Sequence, residues 1–273
     1  MLNAILLLAC LQSDLVAGEA KKLGGDMKFT EGPVADGKGN VYFSDIPNNR
    51  IMKWDGTALS TWLENSEGAN GLRIDREGNI VACQGGGRKV VRIAPDQKVT
   101  VLADAYDGKK LNSPNDLAFD SKGGIYFSDP RYGKRDGMEL DKEAVYYIPP
   151  GGGKIVRVID DMVRPNGIEM GKDRLYVADE GGKKVFTYAV NADGTLKDKK
   201  EFCAAGVDGM KLDDQGNLWA ATGKGIGIFA PDGKALGVVK VPEGPANCCF
   251  AGATLFITAR TSLYSVETKV KGP

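Results

Sequence analysis

A short apolar strand motif recurs six times along the 273 residues of this chain. The copies begin at Val41, Ile80, Ile125, Leu175, Leu218 and Leu255, at intervals of 39, 45, 50, 43 and 37 residues. Repeats of about 40 to 50 residues are typical of β-propeller blades. Each copy also reads as strands joined by tight, glycine-containing turns. The sequence therefore predicts an all-β fold, a six-bladed β-propeller with four-stranded antiparallel blades around a central channel.

The repeats run through almost the whole chain, which leaves no place for a boundary between two domains. We therefore expect a single propeller domain over residues 19–273. The sixth copy ends early, near Val266, and an unassigned segment around Lys22 precedes the first copy. We expect this N-terminal segment to pair with the last blade and so to close the ring.

Residues 1–18 differ from the repeats and resemble a signal peptide or leader. An apolar run from Ala4 to Leu11 precedes the small residues Ala17 and Gly18, although no basic residues stand before it. An alternative is a bacterial lipobox in which Cys10 carries a lipid anchor; the run is too short for a membrane span. The sequence predicts a secreted or periplasmic bacterial protein, lipid-anchored if the lipobox is used, and a cytoplasmic protein if the segment is no leader.

The composition excludes several classes of function. The chain has no histidine and equal numbers of basic and acidic residues, 36 of each. Without histidine there is no Ser-His-Asp or Cys-His hydrolase site, no imidazole base and no histidine-ligated zinc. The balanced charge offers no basic surface for nucleic acid. The glycine runs lack the Gly-Lys-Ser/Thr ending of a phosphate loop, so we expect no nucleotide.

A polar residue stands eight to ten residues before each apolar motif. The six are Glu31, Asn70, Asn115, Asn166, Asp208 and Asn247. Equivalent positions of a radially repeated fold lie at one height around one axis, so these side chains should converge. Asn70, Asn166 and Asp208 form Asn-Gly or Asp-Gly dipeptides, which could instead be hairpin turns. Turn residues already occur further along four of the copies, however, at Gly37, Gly78, Gly123 and Gly216. Glu31 occupies the equivalent position although it is not a turn-forming residue.

This ring has the chemistry of a cation site. Glu31 and Asp208 can each bring one negative charge, and the amides of Asn115 and Asn166 can add neutral oxygen ligands. Oxygen donors without thiolate or imidazole favour calcium, magnesium or manganese over zinc. The sequence therefore predicts one divalent cation on the propeller axis, with Ca²⁺ the first candidate and Mg²⁺, Mn²⁺ or Zn²⁺ as alternatives.

Phrases spread over the chain resemble those of a known family. They are Glu31-Gly-Pro, Phe43-Ser-Asp-Ile-Pro-Asn-Asn-Arg-Ile, Leu111-Asn-Ser-Pro-Asn-Asp-Leu, Phe127-Ser-Asp-Pro-Arg-Tyr-Gly, Arg164-Pro-Asn-Gly-Ile, Asp208-Gly-Met and Ala246-Asn-Cys. On these phrases the chain resembles the senescence-marker-protein, gluconolactonase and luciferin-regenerating family, and bacterial gluconolactonases in particular. The resemblance covers almost everything after the leader.

The resemblance implies roles for individual residues. It places the metal ligands at Glu31, Asn166 and Asp208, with Asn115 beside the substrate. Animal members carry an arginine where this chain has Ser113, so their substrate contacts do not transfer, and Arg131 is our candidate for binding a polar substrate instead. We expect Asp208 and Asn115 to be the catalytic residues.

The predicted activity is metal-dependent hydrolysis of a small-molecule sugar lactone, of the glucono-1,5-lactone type, to its aldonic acid. One alternative is a phosphotriesterase-type hydrolase, because the same cation could polarise a phosphoryl oxygen. Another is a non-catalytic calcium-binding propeller. The longest repeat contains a charged insertion at residues 129–141, which could cover the channel mouth or serve as a solvated connection.

Overall fold

The computed structural model of the protein describes residues 13–273. These residues form six four-stranded antiparallel sheets arranged as a six-bladed β-propeller, which confirms the predicted fold. Cys10 and most of the predicted leader lie outside the described residues, so the leader and the lipid anchor stay predictions. No helix within residues 13–273 has the length and the apolar character of a membrane span.

Within blades 1 to 5, the four strands follow the chain from the axis outwards. Blades 1 and 2 contain Thr30–Ala35, Val41–Asp45, Arg50–Trp54 and Leu59–Glu64, then Ala69–Ile74, Ile80–Gln84, Lys89–Ile93 and Val99–Ala103. Blades 3 and 4 contain Leu117–Phe119, Ile125–Asp129, Ala144–Ile148 and Val156–Ile159, then Pro165–Met170, Arg174–Asp179, Lys184–Val190 and Leu196–Cys203. Blade 5 contains Val207–Leu212, Leu218–Thr222, Gly225–Phe229 and Ala235–Val239.

Blade 6 is built from both ends of the chain. Pro245–Ala251, Thr254–Ala259 and Ser262–Glu267 form its inner three strands, and Lys21–Gly24 pairs antiparallel with the third of them. The predicted closure of the ring by the N-terminal segment is therefore confirmed. Such closure removes the free sheet edge that an incomplete blade would leave.

Two shorter elements lie outside the blades. The hairpin Ala105–Tyr106 with Lys109–Lys110 stands between blades 2 and 3, and the 3₁₀ helix Ile46–Asn48 follows the second strand of blade 1. Upstream of the closing strand, Val16 is buried and forms a β-bridge with Thr268.

The turn between the first and second strands of a blade is fixed by an aspartate. In blade 2, Asp75 Oδ1 accepts hydrogen bonds from the backbone N–H groups of Glu77 at 3.1 Å and Asn79 at 2.9 Å. Gly78 has a φ of 83° in this turn, a conformation that favours glycine. The motif returns in other blades with Asp36, Asp120 and Asp213.

The hydrophobic core lies between neighbouring blades. Its largest fully buried side chains include Phe43, Tyr126, Phe127 and Trp219, all from second strands. The described cysteines are buried and free, as expected for residues that pack in the core. Apolar contacts between blades thus hold the six inner strands in fixed register around the axis.

Candidate functional site

The six polar positions found in the sequence lie at one end of the inner strands. Glu31, Asn70, Asn166 and Asp208 are each the second residue of their strand, and Asn115 stands two residues before Leu117–Phe119. In five blades the pairing of first and second strands shifts register at or beside this position. A register shift of this kind re-aims a side chain.

Five of these residues line one cavity of about 380 Å³ at the axis: Glu31, Asn70, Asn115, Asn166 and Asp208. The sixth, Asn247, is buried and donates a hydrogen bond from Nδ2 to Glu31 Oε2 at 3.1 Å. The predicted convergence is therefore found. The individual roles assigned to these residues stay predictions.

The glycines that follow the polar residues are not turn residues, because they lie inside strands. A Cβ on Gly32 would overlap the carbonyl oxygen of Asn70, and one on Gly167 would overlap the carbonyl oxygen of Asp208. The same atom on Gly209 would overlap the amide of Asn247. Glycine therefore lets these inner strands approach their neighbours closely enough to form the ring.

Glu31 and Asp208 form a buried pair of like charges. Glu31 is 3 % exposed, and its Oε2 also accepts a hydrogen bond from the Gly32 N–H at 2.7 Å. Burial, and next the charge of Asp208, raise the pKa of Glu31 well above its usual value. Burial raises the pKa of Asp208 to about 7, with Asp116 adding to the effect. Both rises come mainly from burial, because a carboxylate that is removed from water resists ionisation, and a positive charge between the two groups would oppose that effect.

The donor set fits a hard divalent cation. Within residues 13–273 no three His, Cys, Asp or Glu side chains cluster as a metal site, so a cation on this axis would also take amide oxygens. Asn166 donates from Nδ2 to the Tyr132 hydroxyl at 2.7 Å, which leaves its Oδ1 as a possible ligand. In Asn247 the corresponding oxygen accepts the Cys248 N–H at 2.9 Å. Glu31, Asp208 and Asn166 together offer the oxygen ligands that calcium, magnesium and manganese prefer.

A second layer of charged residues lies further along the inner strands. Arg73 contacts Asp116 at 3.4 Å and Glu169 at 3.2 Å, and Lys211 contacts Glu169 at 3.1 Å. All four side chains are at most 12 % exposed. Arg73 and Lys211 form ion pairs with the carboxylates of this layer. They therefore do not neutralise the charges of Glu31 and Asp208.

The insertion at residues 129–141 reaches the site through Tyr132, which lines the axial cavity. Arg131, the predicted substrate contact, is placed differently. Its guanidinium donates to the carbonyl oxygens of Asn112 at 2.7 Å, Lys134 at 2.9 Å and Asp136 at 3.4 Å. Arg131 therefore braces the loop that carries Tyr132, and its predicted role in substrate binding is untested. Sequence reasoning missed Tyr132, although it belongs to the Asp-Pro-Arg-Tyr-Gly phrase.

Asp129 positions the segment that carries Asn115. Its carboxylate accepts the backbone N–H groups of Asn112 at 2.8 Å and Ser113 at 2.7 Å. Burial raises the pKa of Asp129 to about 7, and the two N–H donors oppose this rise. The carboxylate thereby fixes the backbone two residues before Asn115.

A second cavity of about 480 Å³ adjoins the first and shares Phe29, Tyr132, Asn166 and Asp208 with it. We call the first the glycine lobe, after Gly68, Gly85 and Gly86 in its wall. We call the second the cationic lobe, after three basic side chains in its wall, those of Arg164, Lys183 and Arg260. Each lobe has the volume of a small-molecule site.

The profile of the SMP-30/Gluconolactonase/LRE-like region matches residues 29–261. The chain belongs to this family. A gluconolactonase of Zymomonas mobilis is 34 % identical over 92 % of this chain and 81 % of its own length. The solved structure of a gluconolactonase from Xanthomonas campestris superposes with a TM-score of 0.85 at 29 % identity, covering 95 % of this chain and 96 % of the other.

The chain is also similar to a protein that is named for a phosphorus-containing substrate. The diisopropyl-fluorophosphatase of Loligo vulgaris is 27 % identical over 87 % of each chain. Membership of the SMP-30/gluconolactonase/LRE-like family therefore confirms the resemblance on which the sequence interpretation rested. It fixes the fold and leaves the substrate to be argued from the site.

Proposed function

We propose that this protein is a lactone hydrolase that opens a sugar lactone of the glucono-1,5-lactone type to its aldonic acid. Glu31, Asn166 and Asp208 would hold one divalent cation, for which Ca²⁺ is the first candidate. The observation that carries the proposal is the buried carboxylate pair beside amide oxygens at the floor of a cavity of small-molecule size. The 34 % identity to a gluconolactonase supports the choice of a lactone.

When bound, the cation would supply Lewis-acid polarisation of the lactone carbonyl. The protein supplies the proton transfers. Asp208 lies in both lobes, and in the metal-free protein burial raises the pKa of its carboxyl group to about 7. It would accept a proton from the water that attacks the carbonyl carbon, and return a proton to the ring oxygen when the ring C–O bond breaks.

Asn115 and Tyr132 would position the substrate over the axis. Asn115 is 7 % exposed and lines the glycine lobe, so its amide can bond to a sugar hydroxyl. Tyr132 stands over the shared part of the two lobes, where its ring can restrict water and hold the sugar against the axis.

The test is hydrolysis of glucono-1,5-lactone at mildly acidic pH by chelator-treated protein, with and without added Ca²⁺, Mg²⁺, Mn²⁺ or Zn²⁺. We expect added metal to restore turnover, and Glu31→Gln and Asp208→Asn to lower kcat at least 100-fold, as loss of a base or a ligand does. The exposed carboxylates Glu77 and Asp232 provide the controls Glu77→Gln and Asp232→Asn, which should keep full activity. If no added cation restores hydrolysis of the lactone, the proposal is overturned.

Phosphotriester hydrolysis is the second candidate, supported by the likeness to diisopropyl-fluorophosphatase. The same residues could serve a phosphoryl oxygen, but the charged wall of the cationic lobe suits a polar substrate better than a neutral triester. Including diisopropyl fluorophosphate in the assay decides between the two. A metal that raises Tm with no turnover of either substrate would indicate a calcium-binding propeller instead.

A further inference from the structure

The wall of the cationic lobe carries more positive than negative charge. Glu180 contacts Arg164 at 3.1 Å and Lys183 at 2.5 Å. One carboxylate thus serves two cations. Arg260, the third, has no ion-pair partner within residues 13–273 and lies with its guanidinium 5.9 Å from the centre of the Phe29 ring. The lobe therefore keeps positive charge that protein carboxylates in its own wall do not neutralise.

The axial carboxylates do not remove this excess under the proposed function, because their two negative charges would be matched by a divalent cation. Tyr132 contacts both regions. Its hydroxyl contacts Asn166 at the axis, while the Arg164 guanidinium packs 5.6 Å from the centre of its ring. A ligand that fills both lobes would meet a metal site at one end and basic side chains at the other.

We propose that the substrate is a lactone bearing a second anionic group, a carboxylate or a phosphate ester, at the end remote from the lactone carbonyl. This inference rests on the proposed lactonase function, which places the carbonyl over the axis. Arg260 would bind the anionic group, with Arg164 and Lys183 beside it. A guanidinium that is not engaged in an ion pair is suited to bind a carboxylate or phosphate through two parallel hydrogen bonds. At this end of the site a neutral sugar lactone offers only hydroxyl groups, which would not neutralise the positive charge of the cationic lobe.

Binding of product acids tests the inference without requiring turnover. We would measure Kd by calorimetry for gluconate, glucarate and 6-phosphogluconate on the calcium-loaded protein. The three acids share one carboxylate and differ at the far carbon, which carries a hydroxyl, a second carboxylate or a phosphate. We expect at least one of the two acids that carry a second anionic group to bind tenfold or more tightly than gluconate, and which one does so identifies the anion. The gain should shrink as salt is added. Equal Kd values for all three acids would overturn the inference.

Substitutions test whether the cationic lobe causes the tighter binding of acids with a second anionic group. Arg260→Gln and Lys183→Gln should each bring the Kd of such an acid towards that of gluconate. Both side chains are at the surface, so Tm should change little. Lys38 is an exposed lysine in the turn at the far end of blade 1, and Lys38→Gln should keep the preference. A preference that survives both Arg260→Gln and Lys183→Gln would also overturn the assignment.

Hydrolysis of the matching lactones separates this inference from the proposed function. We expect kcat/KM to be higher for the lactone of 6-phosphogluconate or of glucarate than for glucono-1,5-lactone, and Arg260→Gln to lower that ratio about tenfold. Hydrolysis of glucono-1,5-lactone without any gain from the second anion would overturn the inference and leave the lactonase proposal standing. If no lactone is hydrolysed, the lactonase proposal is overturned. The Kd values would then still show whether the cationic lobe binds a second anionic group.

Discussion

Asn166 donates a hydrogen bond from its side-chain amide to the hydroxyl of Tyr132 at 2.7 Å. The bond joins the inner strand of blade 4 to the inserted loop of blade 3, and it fixes which atom of the Asn166 amide is available at the axis. Partners of this kind orient the groups that bind metal, and their loss weakens metal binding about 10- to 100-fold. This contact thus links the loop to the proposed cation site.

Removing the Tyr132 hydroxyl tests this link. Tyr132→Phe keeps the ring that stands over the lobes but removes the acceptor for Asn166, so we expect calcium affinity to fall about tenfold and kcat/KM for the lactone to fall with it. Calcium titration and steady-state kinetics measure the two effects. Tyr42→Phe is the control, because Tyr42 lies in blade 1 away from both lobes. Unchanged calcium affinity in Tyr132→Phe would contradict the link.

The carboxylate pair should make the metal-free protein less stable as pH rises. The pKa values of Glu31 and Asp208 are raised in the folded state, so both groups hold protons more tightly there than in the unfolded chain. The stability linked to those protons is present near pH 4 and is lost as pH rises through about 7. Bound Ca²⁺ would reverse this trend, because it compensates the two charges.

Glu31→Gln isolates this effect. The amide cannot ionise but can still accept the bonds from Gly32 and Asn247. In chelator at pH 8 we expect this variant to be more stable than the wild type by about 1 to 3 kcal/mol, with the difference disappearing near pH 4. Added Ca²⁺ should raise the Tm of the wild type only. Thermal unfolding across pH measures this, with Glu77→Gln as the control; a variant less stable than the wild type at pH 8 would refute the account.

The glycines of the inner strands make a steric prediction. An alanine at position 167 would place its Cβ onto the carbonyl oxygen of Asp208 in the next blade, and relief of that overlap must move one inner strand. We expect Gly167→Ala to lower the free energy of unfolding by about 3 kcal/mol and to weaken calcium binding as well. Gly223→Ala is the matched control, because a Cβ there meets no atom within 4 Å. Denaturant unfolding of the two variants compares them directly.

The sequence predicts the axial ring because symmetry relates its members. A polar residue at a nearly constant distance from each apolar motif must lie at one height once the repeats close into a ring, so the sequence alone places Glu31, Asn166 and Asp208 together. The closing strand was predictable for a similar reason. The last repeat lacks one strand, and the N-terminal segment is the part of the sequence that belongs to no other blade.

Symmetry gives no guidance for the walls of the two lobes. Arg131 and Tyr132 are neighbours in one loop, and no periodic pattern tells which side chain points inward. The answer depends on contacts between loops, such as those of Arg131 with three carbonyl oxygens. The cationic lobe is harder still. Arg164 and Lys183 come from blade 4 and Arg260 comes from blade 6, and the apolar repeat does not indicate that these three side chains line one cavity.

Glu243, which precedes the inner strand of blade 6, contacts the strands at which the ring closes. Its carboxylate accepts hydrogen bonds from the Thr261 N–H at 2.8 Å and the Tyr264 hydroxyl at 2.8 Å, and lies 3.6 Å from Lys22 on the closing strand. Burial alone would raise the pKa of Glu243, but bonds from Ser262, Thr261 and Tyr264 lower it to about 2. The stability that Glu243 contributes is therefore present above its usual pKa of 4.5 and is lost as pH falls towards 2.

Replacing Glu243 should loosen the closing strand first. We expect Glu243→Gln to lower Tm at pH 7 and to speed hydrogen exchange at the amides of Lys21–Gly24 more than at the inner strands, because the ring opens where its two ends meet. The Tm difference from the wild type should shrink as pH falls below 4. Glu201 pairs with Lys184 at the surface, and Glu201→Gln should change neither measurement appreciably. Uniform exchange across all blades in Glu243→Gln would show that the ring opens elsewhere.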